Sequence, residues 1–435
     1  MGFERAARVN DDFEELHGPI PGPHTRELAT HLRAVEARNV TYLADDFPIF
    51  WESASEATVT DVDQNRYIDL TAAFGVAAIG HSNAYVVAAV HDQAVRLMHG
   101  MGDVHPTEVR TRLLEALPRV LPTGLDRTFL ATTGSEAVEA AMKTAVLATG
   151  KSHFIAFRGA YHGLAPGALA LCGIEKFRTP FEPIVAGVTT FVDYPDVAKT
   201  DAPTALAALA DRFDDRDDIA AVFIEPIQGR GGCVVPASGY LSGLRAWCSK
   251  RRILLVADEV YTGFGRTGTW FACDHERIVP DLMCIGKAMG SGFPVSALVG
   301  RQEIMDAWPV SSGEALHTST YLGNPMGCAA ALATIHEIER AKLPDRAREL
   351  GNLLGPRLQS FTRHPGVRAV RGRGLMWGVV LSNGEHAERV VKAALARGVI
   401  ILQAGPEGDV ISLTPPLVIT QQQLMHALDI IEGVL

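Results

Sequence analysis

The stretch DLMCIGKAMGSGFPVSALVG, residues 281–300, sets two short apolar runs, LMCIG (282–286) and VSALVG (295–300), on either side of a glycine-rich turn with one lysine. Runs of this length bounded by glycine and proline predict buried strands. Lys287 at the junction is either the solvated end of a strand or an amine kept from water for a chemical purpose. Taken alone, it favours the first. Further strands are predicted at TFLATT (128–133), IAAVFIEP (219–226) and ILLVADEV (253–260). Helical stretches alternate with them, among them GSEAVEAAMKTAVLATG, with Ala137, Ala141 and Ala145 on one face, and GYLSGLRAWCSKR. Apolar strands separated by helices imply an α/β large domain with a mainly parallel sheet flanked by helices. Ligands of such sheets bind beyond the carboxyl ends of the strands.

The chain ends differ in character. A long helix, GNPMGCAAALATIHEIERA, leads into RAVRGRGLMWGVVLS, an αβ unit, DVISLTPPLVI and a final helix, the pattern of a smaller α+β domain. FPIFWESASEATVTDVDQNRYIDL (47–70) has hairpin chemistry around Asp63–Asn65 and is expected to join that domain. The expected division is an arm or helix at 1–40, small-domain segments at 41–75 and 329–435, and a large domain at 76–328.

With 435 residues, 47% apolar and 21% charged, the chain has the composition of an ordinary enzyme. Its net charge of −10 and lack of a basic block argue against a nucleic-acid partner. No run is apolar enough to span a membrane, and the charged start MGFERAARVNDDFEELHG does not resemble a secretory signal. The six cysteines (172, 233, 248, 273, 284, 328) contain no C-x-x-C pair and fit a reducing compartment, so a cytoplasmic location is expected. CDHE (273–276) reads as a charged surface turn, and no metal is expected.

Asp258 and Glu259 end a buried strand, where a carboxylate costs several kcal/mol unless something partners it. Thr133-x-x-Glu136 fits a capping box, yet Gly134 and Ser135 leave the first-turn N–H groups of the helix open to a phosphate. A phosphate site, a lysine in apolar surroundings and a strand-end aspartate together suggest pyridoxal phosphate. The lysine would join the aldehyde as an imine, and the aspartate would keep a proton on the pyridine nitrogen.

The motifs DVDQNRYIDL…GHSNAYVV, TTGSEAVEAAMK, GAYHG, EPIQGRGG, ADEVYTGFGRTG, GKAMGSGFP, TSTYLGNPMGCAAA and PPLVI follow one another between residues 61 and 419. In that order they resemble the class III (ornithine and 4-aminobutyrate type) aminotransferases of pyridoxal-phosphate fold type I. The resemblance implies a Schiff-base role for Lys287, a pyridinium partner in Asp258 and phosphate binding at Gly134 and Ser135. It implies ring contacts from Tyr161 and Val260. It also implies that Thr320 reaches the phosphate held by a second copy, hence a homodimer or a dimer of dimers. The reaction it implies is a ping-pong transfer of an amino group from a small-molecule donor to a carbonyl acceptor.

Three positions depart from the family pattern. Arg230 stands where many relatives have glutamate, and Ser412 where many have an arginine that grips a substrate carboxylate. Tyr261 replaces a frequent glutamine near the cofactor ring. Arg230 is a candidate carboxylate clamp, with a surface salt bridge as the equal alternative. Some relatives are racemases or epimerases, and sequence does not separate these from aminotransferases. Remote readings are a nicotinamide dehydrogenase, from GFGRTG (263–268), an α/β-hydrolase, from GHSNA (80–84), and a non-catalytic binding protein on the same fold.

Overall fold

The computed structural model describes residues 12–435; the first eleven residues of the expected arm lie outside them. Residues Pro23–Val35 of that arm form a helix. The central sheet has seven strands: β1 (Arg127–Ala131), β2 (His153–Phe157), β3 (Thr189–Val192), β4 (Ile219–Ile224), β5 (Leu254–Asp258), β6 (Leu282–Ile285) and β7 (Ser296–Gly300). Their spatial order is β1-β7-β6-β5-β4-β2-β3. The neighbours β3-β2-β4-β5-β6 are parallel, and β4, β5 and β6 among them are the predicted apolar runs. VSALVG forms a strand too, but β7 runs antiparallel to both β6 and β1.

Two strands escape the pattern reading. HFIAF is only five residues long and follows a helix C-cap at once. TTFV lies at the sheet edge and is half-buried along its length, so it carries no apolar run. The Gly134–Thr149 helix packs on the sheet through the predicted face, with Ala137, Ala141 and Ala145 fully buried.

The two chain ends meet in a second sheet. Trp51–Ser55, Thr58–Asp61 and Arg66–Asp69 form an antiparallel meander, and Val399–Ile400 adds to it parallel to Arg66–Asp69. The turn expected around Asp63–Asn65 is held by Asp61, whose carboxylate accepts from Asp63 N, Asn65 N and the Tyr67 hydroxyl. A third, antiparallel sheet has the order Val367–Arg373, Met376–Leu381, Val410–Leu413, Leu402–Ala404. Its last strand faces the cavity described below.

GFGRTG is a chain of turns, followed only by a short 3-10 segment at Ala272–Glu276, so no helix opens on it as a dinucleotide site requires. Arg266 inside it is fully buried and donates to the carbonyls of Leu375 and Pro415. In GHSNA, His81 Nε2 lies 2.7 Å from Asp69 and Asn83 caps the Ala84–Arg96 helix. That turn is built for capping. CDHE departs from a plain surface turn: Cys273 is fully buried, and Glu276 accepts from Gly239 N and Ser242 N.

Candidate active site

Five strands of the central sheet, β2-β4-β5-β6 side by side and β1 beyond β7, deliver side chains to one cavity of about 720 Å³. Beyond β1 come Thr132 to Ser135, beyond β2 Tyr161 to Gly163, beyond β4 Glu225, at the end of β5 Asp258 with Val260 and Tyr261, and beyond β6 Lys287. This is the carboxyl edge of the parallel strands, where their diverging loops leave a crevice.

Asp258 is 5% exposed. One carboxylate oxygen accepts from Val260 N at 3.0 Å; the other lies 2.7 Å from His162 Nδ1. His162 is buried, and its Nε2 has no partner. Burial opposes its charge, but the hydrogen bond and charge of Asp258, with Glu225 behind, hold it above the ordinary histidine value. His162 thus fixes the Asp258 carboxylate from behind while its other oxygen is held by Val260 N.

Lys287 follows Gly286 at φ +44°, a left-handed turn that brings its amine back over the strand ends. Burial pushes the ammonium below the ordinary lysine range, against the charges of Asp258 and Glu225. Nζ stands 4.1 Å from the centroid of the Tyr261 ring. That ring is locked in place: an added Cβ would come within 2.4 Å of it at Gly75 and 2.2 Å at Gly229. Its hydroxyl lies 3.1 Å from Thr414 Oγ1.

At the amino terminus of the Gly134–Thr149 helix, the predicted capping box is present. Glu136 accepts from Thr132 N and Thr133 N, and Thr133 Oγ1 accepts from Glu136 N. Gly134 and Ser135, in the first turn of this helix where N–H groups have no intrahelical partner, line the cavity. Gly163, at φ +120°, closes on this terminus so tightly that a Cβ there would stand 2.0 Å from Ser135 Oγ. Tyr161 lines one side and meets Phe177 edge-on at 5.7 Å; Val260 lines another.

Glu225 is a site residue that the sequence reading leaves without a role. Its carboxylate accepts from Tyr161 N and Gly229 N, both at 2.9 Å. Burial pushes its carboxyl up to about 7, with His162 opposing and Asp258 reinforcing the rise. Phe74 is another. It sits at the cavity within four successive left-handed residues, Ala72 to Gly75 (φ 46°, 49°, 62° and 79°), a costly backbone for three of them.

Arg230 and Ser412 both line the cavity. Arg230 is exposed and donates Nη1 to Gln403 O at 2.8 Å; Ser412 is buried, 3.7 Å from Cys233 Sγ. Thr320 is exposed in a turn before the Pro325–Arg340 helix and is not brought to the cavity.

The donor set fits pyridoxal phosphate. It offers a buried amine, a carboxylate backed by histidine, and open helix N–H groups beside a glycine whose Cβ would fill the space.

Comparison with known proteins agrees. Residues 41–435 match the family "Aminotransferase class-III". The chain is 40% identical to the 4-aminobutyrate aminotransferase of Mycobacterium leprae, over 98% of each chain. It is 39% identical to the acetylornithine aminotransferase of Methanosarcina mazei, over 88% of this chain and 91% of that one. Among solved structures, the ornithine aminotransferase of Toxoplasma gondii superposes with a TM-score of 0.84 at 29% identity, covering 94% of both chains. A transaminase from the marine bacterium Virgibacillus gives 0.88 at 26% identity, covering 94% of this chain and 98% of that one. The chain belongs to the class III aminotransferases, enzymes that transfer amino groups with pyridoxal 5'-phosphate.

Proposed function

We propose that Lys287 carries the cofactor covalently, that Asp258 keeps its pyridine nitrogen protonated, and that the helix terminus at Gly134 and Ser135 takes its phosphate. The observation that supports this assignment is the convergence of those groups on one cavity from the carboxyl ends of three strands of one sheet. When bound, pyridoxal phosphate withdraws electrons from the substrate carbon and makes its C–H acidic. Lys287 Nζ is placed to act as the base at the substrate Cα, and burial, which lowers its pKa, favours the neutral amine such a base needs. His162 acts through Asp258 as a positioning residue. Tyr161 and Val260 exclude water from the two sides, and Tyr261 contributes the wall beside the lysine.

Transfer is favoured over racemisation by a specific observation. A racemase needs a second base across the substrate from Lys287. Tyr161 is the candidate, but burial raises its hydroxyl pKa and disfavours the phenolate.

The working unit in this reading is a homodimer. Val95, Met98, Leu316 and Tyr321 are each at least 61% exposed, and the segments that carry them are tied together by Thr318 to Asp103 and by Asn324 to Met98 O. Such an apolar face supports burial against a second copy, with Thr320 reaching the phosphate held there. The domain division at residues 76 and 328 remains our reading of the chain, as does a cytoplasmic location, supported by six buried cysteines that are all unpaired.

The test is a half-reaction. Holoenzyme incubated with one amino donor and no acceptor should lose its cofactor absorbance and release a carbonyl product. Persistent colour with loss of optical activity would overturn transfer in favour of racemisation.

A further inference from the structure

The substrate-facing charge of this cavity is small and lies in one place. Among the described residues that line it, the cations are Lys287 and Arg230, with His162 held by Asp258 at the base. Lys287 belongs to the cofactor in the reading above, so Arg230 is the one cation left for substrate. Its position is fixed twice: Nη1 donates to Gln403 O at 2.8 Å, and its own carbonyl accepts from Gly405 N at 2.9 Å. Gln403 is itself held, its side-chain amide donating to Gly384 O and Gly408 O.

The strand register adds a second observation. Leu402 pairs with Ser412 across the third sheet. The guanidinium anchored at Gln403 thus lies along the strand next to position 412. Positive charge is delivered to that wall from the loop at 230, while the strand position itself is neutral. The rest of that side, Tyr261, Thr414, Ser412 and Cys233, carries no charge that could receive a second anion. At the base Glu225 and Asp258 are acidic groups and offer a second anion no cation. No acidic residue among those described pairs with Arg230, so nothing holds the guanidinium aside while a different substrate binds.

Resting on the aminotransferase reading, we propose that this site is specific for substrates with a single carboxylate. Arg230 grips that carboxylate in the amino donor and in the oxo acceptor alike, and dicarboxylic oxo acids are disfavoured. A second carboxylate would lose water with no cation to meet it, a penalty that bidentate pairing at Arg230 does not offset.

Two five-carbon acids, pentanoate and glutarate, differ only in the second carboxylate and lack a reacting group. Titrated calorimetrically into holoenzyme, pentanoate should bind at least as tightly as glutarate, and Arg230→Ala should weaken pentanoate by about tenfold. In a second arm, the aminated enzyme prepared with donor alone should regain its cofactor absorbance with pyruvate at least about tenfold more efficiently than with 2-oxoglutarate. Glutarate binding tenfold tighter than pentanoate would overturn the proposal. So would pentanoate binding indifferent to Arg230→Ala, or a preference for 2-oxoglutarate. The cofactor absorbance of the same samples separates the two levels. Loaded enzyme that bleaches with donor but prefers dicarboxylates contradicts only the specificity, whereas protein that never takes up the cofactor contradicts the reading beneath it.

Discussion

The floor of the cavity comes from the carboxyl ends of five strands of one sheet, whereas its outer wall is assembled from segments around residues 74, 230, 403 and 412. On the floor, backbone geometry positions the chemistry: a left-handed Lys287, a glycine cradle at 163 and a helix terminus at 134. On the wall, side chains do so through long-range contacts, such as Arg230 to Gln403 and Tyr261 to Thr414. The difference separates what the fold dictates from what a given member of the family is free to alter. All three departures from the family pattern lie on the wall or next to it.

The comparison predicts large losses from floor substitutions and selective ones from the wall. Lys287→Ala should lower kcat by about 10²–10⁴-fold through loss of the Cα base alone, and added methylamine should restore part of it. A variant that kept its turnover would move the chemistry elsewhere. Gly163→Ala should lower stability by about 1–3 kcal/mol, because a Cβ meets Ser135 Oγ in a left-handed backbone, and it should weaken cofactor affinity as well. Its thermal midpoint and a cofactor titration read these separately. Arg230→Ala should raise KM for carboxylate substrates by about tenfold relative to simple amines, with equal changes counting against a clamp.

Glu225 gives a smaller effect with a defined sign. Its folded pKa of about 7 lies above the ordinary glutamate value of 4.5, so the folded state binds the extra proton. Its contribution is therefore fully present below about pH 4.5 and is lost as pH rises through about 7. Relative to Glu225→Gln, the wild type should lose stability across that window, by no more than about 3 kcal/mol, as followed by urea midpoints at several pH values. Parallel curves for the two proteins would show that Glu225 is not protonated in the fold.

Much of the floor is legible in the sequence, because strand ends announce themselves. A buried run that stops at Asp258 or at Gly286–Lys287 already says that the next side chains stand at the ligand edge. His162 is not legible for the corresponding reason: the strand HFIAF before it is too short to stand out as an apolar run, so nothing local marks GAYHG as a strand-end loop. Glu225 lay inside a recognised strand, yet its acceptance of two backbone N–H groups depends on the loops at 161 and 229, which no local pattern reveals. Phe74 carries no signal at all. Four successive left-handed residues, three of them not glycine, are a tertiary outcome that local propensity argues against. The direction of β7 is not legible, because an apolar run in a covered sheet reads alike in either orientation.

The most direct test reduces the purified, cofactor-loaded protein with borohydride and maps the labelled peptide by mass spectrometry. The label is predicted on Lys287, within the peptide that joins β6 to β7. A label fixed on another side chain, or on none, would contradict the account at its root.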